Sequence, residues 1–251
     1  MLSVDLNCDM GESFGAFSIG HDLALMTYIS SVNIACGFHG GDPSVMKRTV
    51  NDAVSNGLAI GAHPGYPDLQ GFGRRDMKIS PDEVYDIVLY QIGALMGFAH
   101  AAHTRLHHVK PHGALYNMAA KDPVLSKAIA QAVKDINASL LFVGLSGSIM
   151  IKEAEALGLK TVSEVFADRT YQDDGTLTPR ALPNALIHDE NEAAQHVLRM
   201  VQDRKVKSVS GKLLDLQPDT ICIHGDGKNA LGLARKIVEV LTQHDVTIRR
   251  P

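Results

Sequence analysis

Residues 3–12 read SVDLNCDMGE, a short β-rich run in which polar and apolar side chains alternate. Successive side chains of an extended strand point to opposite faces, so Asp5, Asn7 and Asp9 share one face. Leu6 lies on the other face. A parallel strand that helices cover on both sides is nearly all apolar. The polar face therefore predicts that this strand lies against something other than a helix.

The remainder of the chain alternates short β-rich runs with longer helical stretches. Seven strands are predicted, at Ser3–Cys8, Ser31–Cys36, Ala59–His63, Arg105–Lys110, Leu140–Gly144, Lys160–Val165 and Thr220–His224. Helix starts are indicated by a capping residue followed by proline or by acidic residues, at Asp42-Pro43, Ser80-Pro81, Asp122-Pro123 and Asp189-x-x-Glu192. Strand–helix alternation requires crossover connections, which give parallel strands covered by helices. Because no long Pro/Gly/Ser linker interrupts the pattern, we predict one domain over residues 1–251.

Polar and ionisable residues recur at the carboxyl ends of at least six predicted strands, beside turns rich in glycine and proline. They are Asn7, Asp9, Glu12, Asn33, His39, His63, His108, Lys110, His112, Glu164, Asp168, Arg169, Cys222, His224 and Asp226. An open α/β sheet needs such residues only near its switch point, whereas a barrel collects them from nearly every strand. The sequence therefore predicts an α/β fold, a seven-stranded, TIM-like (β/α) barrel.

Four of the strand-end residues are histidines that lie with Asp9 at equivalent positions. They are His39, His63, His112 and His224. One such histidine alone is typically a hydrogen-bonding residue that fixes a loop, but four together favour a functional site. Imidazole titrates near neutral pH and also binds divalent metals, so metal-free acid–base chemistry and a metal site both stay open. No compact ligand motif such as His-Glu-x-x-His indicates which metal would bind.

Three cationic residues have two interpretations each. Lys110 is either a buried charge paired with a carboxylate or an electrostatic catalyst between two histidines. Arg74 and Arg75 lie in a glycine-containing loop at 64–79. They are either solvated or able to close over an anionic substrate or phosphate.

Composition excludes several classes of function. The formal net charge is −4, which gives no basic surface for nucleic acid or anionic lipid. No stretch approaches the roughly 18 apolar residues of a membrane span. The amino terminus has no cationic region followed by a long apolar one, and Cys8, Cys36 and Cys222 form no Cys-x-x-Cys pair. We expect a reducing, cytoplasmic location.

Two common catalytic motifs are missing from the sequence. No Gly-x-x-x-x-Gly-Lys-Ser/Thr loop for nucleotide phosphates occurs, and no Gly-x-Ser-x-Gly elbow of a serine hydrolase occurs. Chemistry that consumes a nucleotide would therefore need a partner or a phosphate site of another kind.

Taken together, the motifs resemble those of the LamB/YcsF family, whose members are A subunits of ATP-dependent 5-oxoprolinase. The matching stretches run through the whole chain and are 5–12 (DLNCDMGE), 33–43 (NIACGFHGGDP), 61–68 (GAHPGYPD), 71–75 (GFGRR), 109–117 (VKPHGALYN), 164–171 (EVFADRTY) and 223–226 (IHGD). The resemblance implies a barrel related to the glycoside hydrolase and deacetylase barrels. It also implies hydrolysis of the cyclic amide 5-oxo-L-proline to L-glutamate with ATP as co-substrate, together with separate B and C subunits.

Roles within such a reaction follow from the strand-end positions. Catalytic roles are expected for Asp9, His39, His63, Lys110 and His112. Asp9 with His39 or His63 would activate water, and Lys110 with His112 would stabilise developing negative charge. Substrate contacts are expected from Asn7, Glu12, Arg74, Arg75, Glu164, Asp168, Arg169, His224 and Asp226. The alternatives are a stand-alone metal-dependent amidase or deacetylase, and a non-catalytic barrel that serves as a scaffold.

Overall fold

The first strand of the chain closes the barrel, because it pairs with another strand on each side. The structure, a computed structural model, describes residues 2–225 and 229–251. Its strands are β1 (Ser3–Met10), β2 (Ser31–Ala35), β3 (Ala59–His63), β4 (His108–Val109), β5 (Leu141–Leu145), β6 (Thr161–Phe166), β7 (Lys205–Lys207), β8 (Leu213–Asp215), β9 (Thr220–Ile223) and β10 (Thr247–Ile248). β1 pairs in parallel with β2 on one side and with β9 on the other. The strands β1-β2-β3-β4-β5-β6-β9 thus form a closed parallel barrel of seven strands, and the predicted fold class is confirmed.

Helices cover the outside of the barrel in the crossovers between strands. They are α1 (Asp22–Leu25), α2 (Pro43–Ser55), α3 (Pro81–Ala101), α4 (Gly113–Ala119), α5 (Pro123–Asn137), α6 (Ile149–Ala156), α7 (Glu190–Asp203) and α8 (Ala230–Gln243). The four predicted helix starts are confirmed, because Asp42, Ser80, Asp122 and Asp189 each accept a backbone N–H of the first turn. No helix in the described ranges is long and apolar enough to cross a membrane.

Three short strands were not predicted from the sequence. β10 extends the sheet beside β1, and β7 with β8 forms an antiparallel pair outside the barrel. Conversely, β4 is shorter than the predicted run Arg105–Lys110. Its backbone nevertheless stays paired with the β3 side, because Lys110 N donates to Ala62 O at 2.9 Å and His112 N donates to Pro64 O at 2.8 Å.

The interior of the barrel holds a connected polar network instead of a wholly apolar core. Asn7 donates to Glu164 Oε1 at 3.0 Å and accepts from Asn33 Nδ2 at 2.7 Å. Asn33 Oδ1 in turn lies 2.7 Å from His108 Nε2. Burial raises the pKa of Asp5, although three hydroxyl hydrogen bonds to its carboxylate oppose the shift. Buried polar groups that are satisfied in this way rigidify the structure around them.

Gly61 of β3 is required by this network. A Cβ at position 61 would overlap the His108 ring, which is buried and held by Asn33. We expect Gly61→Ala to lower the free energy of unfolding by about 1–3 kcal/mol, the usual cost of overpacking a core. Gly97 of α3 is the matched control, because a Cβ there meets nothing within 4 Å. Gly97→Ala should instead raise stability by up to about 1 kcal/mol. Urea denaturation of both variants measures the difference, and equal stabilities would contradict it.

Candidate active site

A cavity of about 430 Å³ lies over the carboxyl ends of the barrel strands. Eight of the predicted site residues line it: Asp9, Glu12, His63, Arg74, Lys110, His112, Arg169 and His224. They come from several strand ends and loops, which is the arrangement by which (β/α) barrels build active sites. The cavity is therefore the candidate active site.

Lys110 is the central charge at the base of the cavity. Its Nζ lies 2.9 Å from Asp9 Oδ1 and 2.8 Å from Glu164 Oε1, and it also donates to Asn7 Oδ1 at 3.3 Å. Cys222 Sγ lies 3.1 Å from the same nitrogen. Burial opposes the charge, but Asp9 and the other neighbours hold the pKa of Lys110 well above its ordinary value. Lys110 is thus a paired, buried ammonium that also reaches the cavity wall, so the two interpretations of its sequence position are compatible.

A cluster of three histidines forms one wall. His63 Nδ1 lies 2.7 Å from Lys110 O, and His112 Nε2 lies 2.8 Å from Phe72 O. The two remaining ring nitrogens, His63 Nε2 and His112 Nδ1, face each other at 3.0 Å. His39 stacks on His112 with 3.6 Å between ring centroids and an angle of 2° between planes. His39 is fully buried and supports this wall from behind without lining the cavity.

Two carboxylates border the histidine cluster. Asp9 Oδ2 lies 3.3 Å from His63 Nε2, and Glu12 Oε1 lies 3.3 Å from His39 Nε2. Burial works against ionisation of Asp9, but the charges of His63 and Lys110 outweigh it and hold the pKa of Asp9 well below its ordinary value. Burial lowers the pKa of His39 and of His112. The wall therefore presents the ionised carboxylate of Asp9 together with two imidazoles, His39 and His112, that burial keeps neutral, a combination suited to accepting protons.

A second wall of the cavity is cationic and was only partly predicted. Arg169 is buried, with Nη2 donating to Thr178 O at 2.6 Å, and burial lowers its pKa to about 10. His224 Nδ1 lies 2.7 Å from Asp168 Oδ1, so Asp168 orients His224 from behind. Arg180 also lines the cavity. Arg180 follows a proline in the long segment between β6 and α7. Nothing in that sequence context indicated that its side chain would line the cavity.

Several predicted substrate contacts lie elsewhere. Arg75 pairs with Asp68 and its side chain is 64% exposed, so of the two adjacent arginines only Arg74 lines the cavity. Asp226 lies outside the described residues.

The barrel interior beneath Lys110 holds two more of these predicted contacts. Asn7 and Glu164 lie there and bind the ammonium of Lys110. Tyr116, which sequence reasoning did not select, does line the cavity. Burial and the charge of Glu164 raise the pKa of Tyr116 well above its ordinary value, so its hydroxyl keeps its proton.

These features define the class of the protein: a (β/α)-barrel enzyme with an acid–base wall and a cationic wall at the carboxyl ends of the strands. The LamB/YcsF family model matches residues 4–251, and the chain belongs to this family.

Named relatives and solved structures agree with this assignment. A protein of Tolumonas auensis, named as the A subunit of 5-oxoprolinase, is 59% identical over 99% of both chains. Its counterpart in Bacillus subtilis, with the same name, is 57% identical over 94% of this chain and 92% of its own. The crystal structure of a lactam utilization protein from Thermus thermophilus matches with a TM-score of 0.93 at 49% identity, over 99% of both chains. A family 4 carbohydrate esterase from Streptomyces lividans matches at 13% identity with a TM-score of 0.51, over 98% of this chain and 91% of its own, and shares the fold alone.

Proposed function

We propose that this chain is the A subunit of an ATP-dependent 5-oxoprolinase, which hydrolyses the lactam of 5-oxo-L-proline to L-glutamate. The observation that carries the proposal is the full-length identity of 55–59% to relatives with that name. The cavity supports it, because one wall offers proton acceptors and the other offers cations for an anionic substrate.

The chemistry of the lactam explains why ATP and further subunits would be needed. An amide is resonance-stabilised and therefore a poor electrophile. Phosphorylation of its oxygen by ATP would turn that oxygen into a leaving group and make the ring carbon electrophilic. Water then adds to the carbon, and the C–N bond breaks as the nitrogen takes up a proton, which leaves the new carboxyl group as an acyl phosphate. A second water hydrolyses this acyl phosphate, so one ATP and two waters give glutamate, ADP and phosphate. Since the sequence has no phosphate-binding loop of the common kind, the activation step is assigned to B and C subunits.

Distances within the cavity support specific roles for this chain. Asp9 and His63, with 3.3 Å between Oδ2 and Nε2, are assigned to the attacking water. His39 does not line the cavity, so His63 is preferred as the partner of Asp9. Lys110 and His112 are assigned to stabilise negative charge that develops on the substrate. Arg169, with Arg74 and Arg180, which also line the cavity, is assigned to the substrate carboxylate or phosphate.

The proposal also covers the number of domains in the chain and its cellular location. Closure of the barrel by β1 with β9 ties residues near both ends of the chain into one sheet, which supports a single domain over 1–251. Cys8, Cys36 and Cys222 are free and buried, which fits a reducing cytoplasm.

A reconstitution assay tests the proposed function. The purified chain is mixed with the B and C subunits, ATP and 5-oxo-L-proline, and glutamate is measured as each component is omitted in turn. We expect release of glutamate only from the complete mixture. Hydrolysis of an amide by the chain alone would favour the stand-alone amidase instead. Normal activity of the complete mixture when the cavity residues of this chain are substituted would favour a non-catalytic barrel.

A further inference from the structure

The protonation of His63 and His112 is fixed on one side of each ring. A backbone carbonyl oxygen can only accept a hydrogen bond. His63 Nδ1, 2.7 Å from Lys110 O, and His112 Nε2, 2.8 Å from Phe72 O, must therefore both carry hydrogen. In a neutral imidazole the second nitrogen then carries a lone pair.

Two lone pairs thus point at each other across a short gap. His63 Nε2 and His112 Nδ1 are 3.0 Å apart, and both residues are buried. Neither nitrogen can donate to the other unless one ring takes up an extra proton. A metal ion bound by both lone pairs would satisfy the two nitrogens without that extra proton.

Carboxylate oxygens complete a set of possible ligand atoms. Asp9 Oδ2 lies 3.3 Å from His63 Nε2, and Glu12 Oε1 lies 3.5 Å from His112 Nδ1. The other oxygen of Asp9 is already bound to Lys110 at 2.9 Å and to Asn33 at 2.8 Å. Those contacts leave Oδ2 turned toward the histidines.

The three distances that connect these atoms one to the next are close to those between ligands of one metal ion. Atoms that each lie about 2.1 Å from an ion are about 3.0–3.4 Å apart when their bond angles are about 90–110°. The nitrogen–nitrogen, His63–Asp9 and His112–Glu12 distances are 3.0, 3.3 and 3.5 Å. Four ligand atoms of Glu12, His39, His63 and His112 also lie within 4.8 Å of one another.

The local charge balance favours an additional cation. Lys110 is one ammonium shared between two carboxylates, those of Asp9 and Glu164. Buried carboxylates are costly unless positive charge compensates them.

We propose that His63 Nε2, His112 Nδ1 and Asp9 Oδ2, with Glu12 Oε1 beside them, bind one divalent transition-metal ion of the Zn²⁺ or Co²⁺ type. Imidazole and carboxylate ligands suit these ions. The site lies on the cavity wall next to Lys110. With the ion bound, His63 Nε2 and Asp9 Oδ2 would act on the attacking water through the ion, as its ligands, and not as free proton acceptors. The proposal concerns this chain by itself and stands whether or not the chain is part of a 5-oxoprolinase.

Metal binding to the isolated full-length chain tests the site without partners, ATP or substrate. Chelator-treated protein is titrated with Zn²⁺ by calorimetry in buffers of different ionisation enthalpy, and with Co²⁺ by visible absorption. We expect one equivalent of each ion to bind. Failure of this experiment leaves the reconstitution assay unaffected, so the two proposals fail separately.

Variants and spectroscopy locate the ion. His63→Ala and His112→Ala should each weaken Zn²⁺ binding by about 100-fold or more, since even residues behind the ligands are worth 10–100-fold. His188→Ala, which alters an imidazole far along the chain from the cluster and outside the cavity lining, should change nothing. Nitrogen NMR of the unsubstituted protein should show Zn²⁺-induced shifts at His63 Nε2 and His112 Nδ1. Absence of saturable binding, or wild-type affinity in the folded double variant His63→Ala/His112→Ala, would overturn the proposal, as would NMR shifts confined to other histidines.

Discussion

Replacing Lys110 by Met is expected to lower the free energy of unfolding by about 3–5 kcal/mol, the usual cost of removing one partner from a buried ion pair. The variant keeps an unbranched side chain of similar length but leaves the carboxylates of Asp9 and Glu164 without their shared ammonium. Turnover in the reconstituted enzyme should fall by about 100- to 1,000-fold, the range for loss of one preorganised electrostatic contact. Urea denaturation and the glutamate assay measure the two effects.

Two further variants separate charge from packing in this prediction. Lys152 is exposed on α6, so Lys152→Met should change stability by no more than about 0.5 kcal/mol. The double variant Lys110→Met/Glu164→Gln removes one of the two uncompensated charges and should therefore be more stable than Lys110→Met alone. A double variant that is no more stable than the single one would show that lost packing, and not unpaired charge, destabilises the protein.

The barrel could be predicted because its decisive feature is local. Asp5, Asn7 and Asp9 show the period of two along a single strand, and that period survives in the structure as the polar interior face of β1. The helix starts were predicted for the same reason, since a capping side chain and the N–H that it binds are two or three residues apart.

Elements held only by distant partners could not be predicted. β10 exists because Thr247 N donates to Leu2 O and Arg249 N donates to Val4 O, across almost the whole chain. Neither Thr247 nor Ile248 belongs to a periodic run long enough to indicate a strand. The β7–β8 pair is likewise only three residues on each side.

Side-chain positions in the candidate site could be predicted only in part, because some of them also depend on distant partners. Strand-end position selected most of the catalytic candidates that line the cavity, but it also selected Asn7 and Glu164, which lie beneath it. It could not distinguish Arg74 from Arg75. That choice depends on a tight loop with positive φ at Phe72 and Gly73, in which Asp68 binds the Arg75 side chain. His39 comes at the end of its strand, on the face that was expected to point into the site. It nevertheless lies behind the wall, because the His112 ring stacks over it.

The roles assigned to these residues stay predictions, and Asp9 is the residue on which most of them depend. Asp9→Asn should lower turnover of the reconstituted enzyme by about 100- to 10,000-fold, the range for loss of a positioned acid–base group. The fold should persist, because the amide oxygen can still accept from Lys110 and Asn33 while its NH₂ group faces the lone pair of His63 Nε2. Steady-state measurement of glutamate release and circular dichroism test these two statements.

The kinetic form of the Asp9→Asn defect distinguishes a catalytic role from a binding role. Substrate anions are assigned to Arg169 and not to Asp9, so kcat should fall while KM for 5-oxo-L-proline changes little. Asp82→Asn, which neutralises an exposed carboxylate on α3, should leave both constants unchanged. It serves as the control for the loss of a negative charge. A raised KM with wild-type kcat would mean that Asp9 binds substrate and does not take part in the chemical step. Unchanged constants in a folded Asp9→Asn protein would remove Asp9 from the mechanism and, with it, the reason for assigning His63 as its partner.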